Sequence, residues 1–438
     1  MRSGRGFGFA VALSAAVLGS WGLATALAAE STVVERGLKS QLRDEGLRPG
    51  TVICRRDHGW TCRWRATRSS GGWTYHCRGD ATFSLTAGWT VDPCHLHAPR
   101  LAPLLTDPGL PPAFGYNEQW SHQTDKLGMS ATGGADTNRS ALPWRGVERT
   151  RGSYDWTAAD NLYHDMLQNG VRPLFIIESA PCWAVARSAR TRCNRDDLGG
   201  YAPAPTHYRD WGRFVAEAAR RYPRVRGFEI WNEPNTARFW QPYGPSPGQY
   251  AKVLSVAYHK VNQVAPDTPV ITGGVSPTPV DQNTTYGKNL SYPHFLTGVY
   301  KAFGSGPVPA DGIGFHAYPP HDSGKDPALR VRELLAGVKD VMVGFKDQDR
   351  PIWVTETGES TTGSHPFTLN GQAAALVSVY QTLASVPGVP TVIIHRFFDG
   401  DYGDGDWSTG LGVVAIQPRV HEKPAYCALA AVRGSPCQ

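Results

Sequence analysis

Between residues 113 and 397, short apolar runs alternate with longer stretches whose apolar positions recur every three or four residues. The first pattern suits buried strands and the second suits helices that cover one face, so the chain reads as repeated βα units around a parallel sheet. The runs are Ala113 to Asn117, Ala135 to Asn138, Arg172 to Glu178, Gly227 to Asn232, Val270 to Val275, Gly312 to Tyr318, Ile352 to Glu356 and Thr391 to Phe397. Between them, Tyr208, Trp211, Val215, Ala218, Ala219 and Tyr222 form one helical stripe, and Leu334, Leu335, Val338, Val341 and Met342 form another. Eight strands with helical intervals predict an α/β fold of the (β/α)8 TIM barrel type. An open dinucleotide-binding sheet fits less well, because no Gly-rich fingerprint follows the first strand.

The N-terminal pattern is different. Arg2 and Arg5 precede an apolar stretch from Phe7 to Leu27 and the small-residue site Ala26-Leu27-Ala28, which is the order of a secretory signal peptide over residues 1–28. Residues 30–97 hold four cysteines, and between Cys54 and Cys94 short runs alternate with period two around Ser69-Ser70-Gly71-Gly72, predicting a small Cys-rich β module stapled by disulfides. A Pro-rich linker, 98–112, leads to the barrel at 113–438.

Composition narrows the setting. Eight cysteines behind a signal peptide read as disulfides, grouped as four in the module, Cys182 and Cys193 closing a loop, and Cys427 and Cys437 near the C-terminal end, with the connectivity left open by the sequence. Their spacing does not suit zinc, and neither a cofactor nor a metal is expected. The formal charge of +6 falls to about +4 without Arg2 and Arg5, too mild to argue for nucleic acid. No later segment is long enough to span a membrane, so a secreted, extracellular protein is expected. The 14 Trp are suggestive of sugar stacking.

At the C-terminal ends of barrel strands, where TIM barrels carry their chemistry, two carboxylates stand out. Strand four ends in Trp231-Asn232-Glu233-Pro234-Asn235, and strand seven ends in Trp353-Val354-Thr355-Glu356-Thr357-Gly358. One glutamate to attack an anomeric carbon and one to protonate the leaving oxygen, about 5 to 5.5 Å apart, are what double displacement requires. Glu359 is the rival to Glu356. Glu229 lies four residues below Glu233 and reads as a buried carboxylate with a cationic partner. Glu178 ends strand three without an assignable step.

Together these motifs resemble clan A retaining glycoside hydrolases. With Gly314-Phe315-His316-Ala317-Tyr318-Pro319 on strand six, they are most similar to family 39 and to cellulase-like or xylosidase-like actinobacterial proteins. The resemblance spans roughly 113 to 434. It implies that Glu233 is the acid/base and Glu356 the nucleophile, that Asn232 binds the sugar 2-hydroxyl, and that Arg139 holds the nucleophile ionised. It also implies that His316 and Tyr318 serve the nucleophile and the sugar ring. Strand capping for Asn232, a surface position for Arg139 just past strand two, and a packed core role for His316 remain open.

The loop Asp399-Gly400-Asp401-Tyr402-Gly403-Asp404-Gly405-Asp406-Trp407 alternates aspartates but lacks the glutamate of a calcium loop, since Gly410 stands there. It reads as a substrate loop with Trp407 as a sugar platform. Arg55, Arg56, Arg63, Arg65, Arg68 and Arg78, with Trp60, Trp64 and Trp73, give the N-terminal module either a surface for a cell-wall glycan or a solvated spacer face. The expected partner of the barrel is a polysaccharide or oligosaccharide. The alternatives are a transglycosylase, which shares the intermediate, and a non-catalytic glycan-binding protein.

Overall fold

The computed structural model describes residues 20–44, 48–56, 60–70, 73–84, 88–91, 95–97, 111–117, 127–195, 200–319, 326–400, 406–416 and 420–437. The chain divides into two compact units, Met1–Pro99 and Arg100–Gln438.

In the first unit, helix Ser20–Asp44 precedes the strands Arg48–Arg56, Trp60–Ser70, Trp73–Ser84, Gly88–Val91 and His95–His97. The strands form one antiparallel sheet in which Cys54 lies opposite Cys62 and is bonded to it. The alternation predicts only β structure after residue 30, and the helix corrects this. Its signal is the spacing of Val34, Leu38 and Leu42, which pack against Val52, Trp64 and Ala66. Trp64 is therefore core and unavailable to a glycan. The opposite sheet face exposes Ile53, Arg55, Arg63 and Arg65.

The second unit holds an eight-stranded parallel sheet. In barrel order its strands are Ala113–Asn117, Thr137–Pro143, Arg172–Glu178, Gly227–Asn232, Val270–Gly274, Ile313–His316, Ile352–Thr357 and Thr391–His395. Strands five and six meet through the bridges Ile271 to Gly312 and Val275 to Phe315, which close the barrel. Strand two starts two residues later than its apolar pattern suggests and runs to Pro143. Arg139 is consequently its third residue and not a loop position.

Side chains sort by strand parity. Phe114, Phe175, Phe228 and Val354 point outward into the large core shared with the helices, while Leu174, Ile271 and Trp353 form a small cluster inside the barrel. Helix Tyr208–Arg221 buries Trp211, Val215 and Ala218, and helix Pro327–Gly344 buries Leu335, Val338 and Met342, the stripes read from sequence. Tyr208, Leu334 and Val341 lie at the partly buried margins of those stripes.

Cys182 and Cys193 are bonded across a sequence separation of 11 in the loop after strand three, and Cys427 is bonded to Cys437. The pairing of Cys94, and with it the second staple of the N-terminal module, lies outside the described residues. Converting Cys182 and Cys193 to serine is expected to lower unfolding free energy by about 2–3 kcal/mol, the loop-entropy scale for such a ring. Urea denaturation measures this, and an unchanged midpoint would show that the loop is held by other contacts.

Candidate active site

Regular alternation along strand seven would send Glu356 outward, because Trp353 faces the barrel interior and Val354 the helices. Two register shifts prevent that. Phe315 pairs with Val354 but His316 pairs with Glu356, and toward strand eight the pairing slips between Val354 and Thr357. The extra residue is a bulge, which lets both Thr355 and Glu356 turn inward at the rim.

Arg139 organises the interior. Its Nε donates to Glu229 Oε2 at 2.6 Å and Nη2 donates to Glu229 Oε1 at 3.0 Å, a forked pair, while Nη1 donates to Glu356 Oε1 at 2.5 Å and Nη2 also donates to Asn232 Oδ1 at 2.8 Å. Glu229 receives further bonds from the Gly274 amide at 2.6 Å and Thr355 Oγ1 at 3.1 Å. Arg139 and Glu229 are almost fully buried. The cationic partner expected for Glu229 is thus Arg139, so one guanidinium ties strands two, four and seven.

Glu356 is completed by two more donors: Asn117 Nδ2 to Oε1 at 2.7 Å and Tyr318 OH to Oε2 at 2.7 Å. His316 Nδ1 stands 2.9 Å from Glu233 Oε1 and 3.5 Å from Glu356 Oε2, between the two carboxylates. Gly274 makes room for that imidazole, since a Cβ there would lie 2.2 Å from His316 Nε2. The chain around Glu233 is held in an uncommon conformation, with φ of +81° at Trp231 and +39° at Glu233. Such residues cost about 1–3 kcal/mol each and persist only when fixed by their surroundings. Here Trp231 Nε1 donates to Phe239 O at 2.6 Å and the Glu233 amide donates to Gly274 O at 3.0 Å.

Burial alone would raise the Glu356 carboxyl, but the charges of His316, His395 and Arg139, with the Tyr318 hydroxyl, pull it well below the usual carboxylate range. Burial likewise works against the charge on Arg139, and Glu229 and Glu356 more than reverse this. Glu178 is pushed up to about 7, first by burial and then by Glu229 and Glu356 against the lowering effect of Arg139.

Burial pushes Glu359 up to about 8, so it is the weaker candidate for an ionised group. A carboxyl raised from 4.5 to about 8 contributes stability that is full below pH 4.5 and lost as pH rises through about 8. In Glu359→Gln, the fall in melting temperature between pH 5 and 8 is expected to be shallower than in the parent. Parallel melting curves would refute this.

Asn232, Glu233, Glu356, Arg139, His316 and Tyr318 therefore converge on one place. Trp407 adjoins it through an edge-on contact with the Tyr318 ring, at 5.6 Å between centroids, and is 42% exposed. Sequence reasoning missed Asn117, and also His395, which lies 2.8 Å from Asn117 Nδ2 and 3.9 Å from Glu356 Oε2. Both are polar residues closing apolar strands, at strands one and eight, and that was the available signal. Asp399 is engaged by Lys423 at 2.7 Å, and Asp406 caps the short helix Trp407–Gly410. Asp401 and Asp404, the middle of the aspartate loop, lie outside the described residues.

Glu233, His316 and Glu356 each offer an atom within 4.8 Å of the others. A cation placed among them would compete with donors already committed to Glu356, so the arrangement suits paired carboxylates better than a metal.

The sequence profile of Glycosyl hydrolases family 39 matches residues 140–433, two thirds of the chain. The chain belongs to this family. The enzyme is a glycosidase, and its barrel is similar to those of known glycoside hydrolases. A family 39 glycoside hydrolase from Bacteroides cellulosilyticus WH2 has TM-score 0.55 at 20% identity, with 89% of this chain and 77% of that chain covered. The GH5_18 protein of Streptomyces cattleya in complex with GlcNAc has TM-score 0.54 at 16% identity, over 74% and 80%. A monomeric beta-xylosidase from Caulobacter crescentus CB15 has TM-score 0.51 at 16% identity, over 74% and 69%. At such identities these likenesses speak for the fold of the glycosidase alone. No curated protein matches it in sequence.

Proposed function

We propose that the enzyme cleaves β-linked glycosides with net retention, Glu356 attacking the anomeric carbon and Glu233 serving as acid and then base. The observation that carries this reading is the carboxylate spacing: ligand oxygens of Glu233 and Glu356 lie within 4.8 Å of one another. Retaining enzymes set the pair about 5–5.5 Å apart, whereas inverting ones leave about 6.5–9.5 Å for a water.

Glu356, kept ionised, forms a bond to C1 as the C1–O bond to the leaving group breaks, and Glu233 gives its proton to the departing oxygen. Water then attacks C1, Glu233 takes its proton, and Glu356 is released as carboxylate. Asn232, held by Arg139, meets the 2-hydroxyl. Tyr318 donates to Glu356 in the resting state, and Trp407 offers a face for a sugar ring beyond it. Proton NMR of the first-formed sugar tests the scheme: the anomer of the substrate is expected first, and the opposite anomer would overturn it.

Tyr318→Phe removes one donor from Glu356 and should raise its pKa. The acid limb of kcat/KM is then expected to move to higher pH, by up to about one unit if the bond is worth about 1.4 kcal/mol. An unshifted limb would show that the hydroxyl does not tune the nucleophile.

Secretion is part of the reading and is supported by three described disulfides, which persist in oxidising compartments. The exposed row Arg55, Arg63 and Arg65 supports an anionic cell-wall glycan as partner of the first unit. Loss of pull-down on anionic wall polymer after charge reversal of the three arginines tests this.

A further inference from the structure

Glu178 takes no part in the scheme above, although it lies at the rim of the same barrel. It ends strand three and follows Leu174, one of the inward cluster, by four residues, so the parity of the strand turns it to the interior. Strand three lies between strand two, with Arg139, and strand four, with Asn232. Glu178 pairs with Pro143 on the first, and the register with the second, Ile177 to Ile230, brings it one step below Asn232. It is close enough to Arg139, Glu229 and Glu356 to feel their charges.

Its Oε2 is out of contact with solvent and has no hydrogen-bond partner among the described residues. A buried carboxyl oxygen left without a partner costs free energy that proteins rarely bear, so a bond from a bound water or from a ligand that displaces it is expected there. Arg139 does not supply it, because its nitrogens go to Glu229, Glu356 and Asn232.

Charge narrows the ligand. Glu178, Glu229, Glu233 and Glu356 lie around one arginine whose nitrogens are already committed to Glu229, Glu356 and Asn232, so an anionic sugar would find no guanidinium there to pair with. Below pH of about 7 the Glu178 carboxyl is uncharged, which removes the need for an ammonium partner. A neutral hydroxyl can both accept from and donate to such a group. On a pyranose whose 2-hydroxyl is held at Asn232 and whose C1 faces the glutamate pair, the next hydroxyl along the ring is O3.

We propose that Glu178 binds the 3-hydroxyl of the reacting sugar, so that the enzyme selects neutral glycans in which this hydroxyl is free. This deepens the preceding reading and rests on it for the placement of the ring.

The test is a printed array of neutral, glucuronic-acid-ended and glucosamine-ended β-glycans, probed with full-length Glu356→Ala protein and with the same protein carrying Glu178→Ala or Glu178→Gln. The single variant is expected to capture neutral glycans in preference to the charged ones. Glu178→Ala should weaken capture about tenfold or more, whereas Glu178→Gln, which keeps a donor and an acceptor, should stay within about threefold. A 3-deoxy version of the captured sugar should lose as much on the Glu356→Ala protein as the Glu178→Ala substitution costs, and lose nothing further on the double variant. That last comparison separates a binding role from a structural one, and its first half remains decisive if Glu178→Ala fails to fold. Preference for an acidic or amino sugar, capture of no neutral glycan, or equal capture of the 3-deoxy sugar would overturn the proposal. Stereochemistry is read separately by NMR, so an error in the double-displacement scheme would leave the array outcome legible.

Discussion

Glu356→Ala is expected to lower turnover of an aryl β-glycoside by at least about 10³-fold, the scale on which loss of a covalent nucleophile is felt. The substitution should leave the fold intact, because it removes a buried charge and leaves Arg139 its forked pair with Glu229. Azide, small and anionic, fits the space vacated by the carboxylate. It should attack C1 from the same side, restore part of the rate and yield an α-glycosyl azide that NMR identifies. Full activity in the variant would remove Glu356 from the mechanism, and Glu359, buried and biased toward its neutral form, would then be tested next.

The second large effect concerns stability and activity together. Arg139→Leu leaves Glu229 buried without its cation, and breaking a pair of this kind by removing one partner costs about 3–5 kcal/mol. Urea denaturation of Arg139→Leu should show that loss. A double variant, Arg139→Leu with Glu229→Leu, should recover much of it, since two apolar groups of similar bulk can replace a buried ion pair with little penalty. Activity should not return, because Asn232 and Glu356 both lose the N–H donor that Arg139 supplies. If Arg139→Leu unfolds at the parental midpoint, the network is not a structural element.

Much of this was legible in the chain. Five of the eight apolar runs begin and end within a residue of the observed strands, because runs such as Arg172–Glu178 and Gly227–Asn232 are bounded by residues that cannot continue a buried strand. Strand two was harder. Its residues Thr137, Asn138, Arg139 and Ser140 are polar yet buried, and their partners come from elsewhere: Arg172 O for Thr137, Ser130 for Asn138, Glu229 for Arg139. A strand whose buried side chains are polar and satisfied by a neighbouring helix, the adjacent strand and a strand further round the barrel shows no apolar period to read. The inward turn of Glu356 was hidden for a related reason, since a bulge is a property of two paired strands and leaves no mark on either one alone. Asn117 and His395 escaped because each is a single polar residue at a strand end, significant only once strands one and eight are known to be neighbours. The helix before the N-terminal sheet is faint in sequence because its apolar stripe is only Val34, Leu38 and Leu42, set among polar residues.

Arg139 also constrains how this protein can change over generations. In many enzymes a lineage that abandons the reaction can lose its reactive groups one at a time while the scaffold drifts neutrally. Here the same guanidinium serves the carboxylate proposed as nucleophile and a buried partner, Glu229, on strand four. A descendant freed from catalysis would still be under selection to keep Arg139 and Glu229, and could discard them only as a pair. A chain with this fold that has lost Glu356 but retains the other two is therefore the expected form of a silent relative, and its intact arginine would be a relic of folding, not of chemistry.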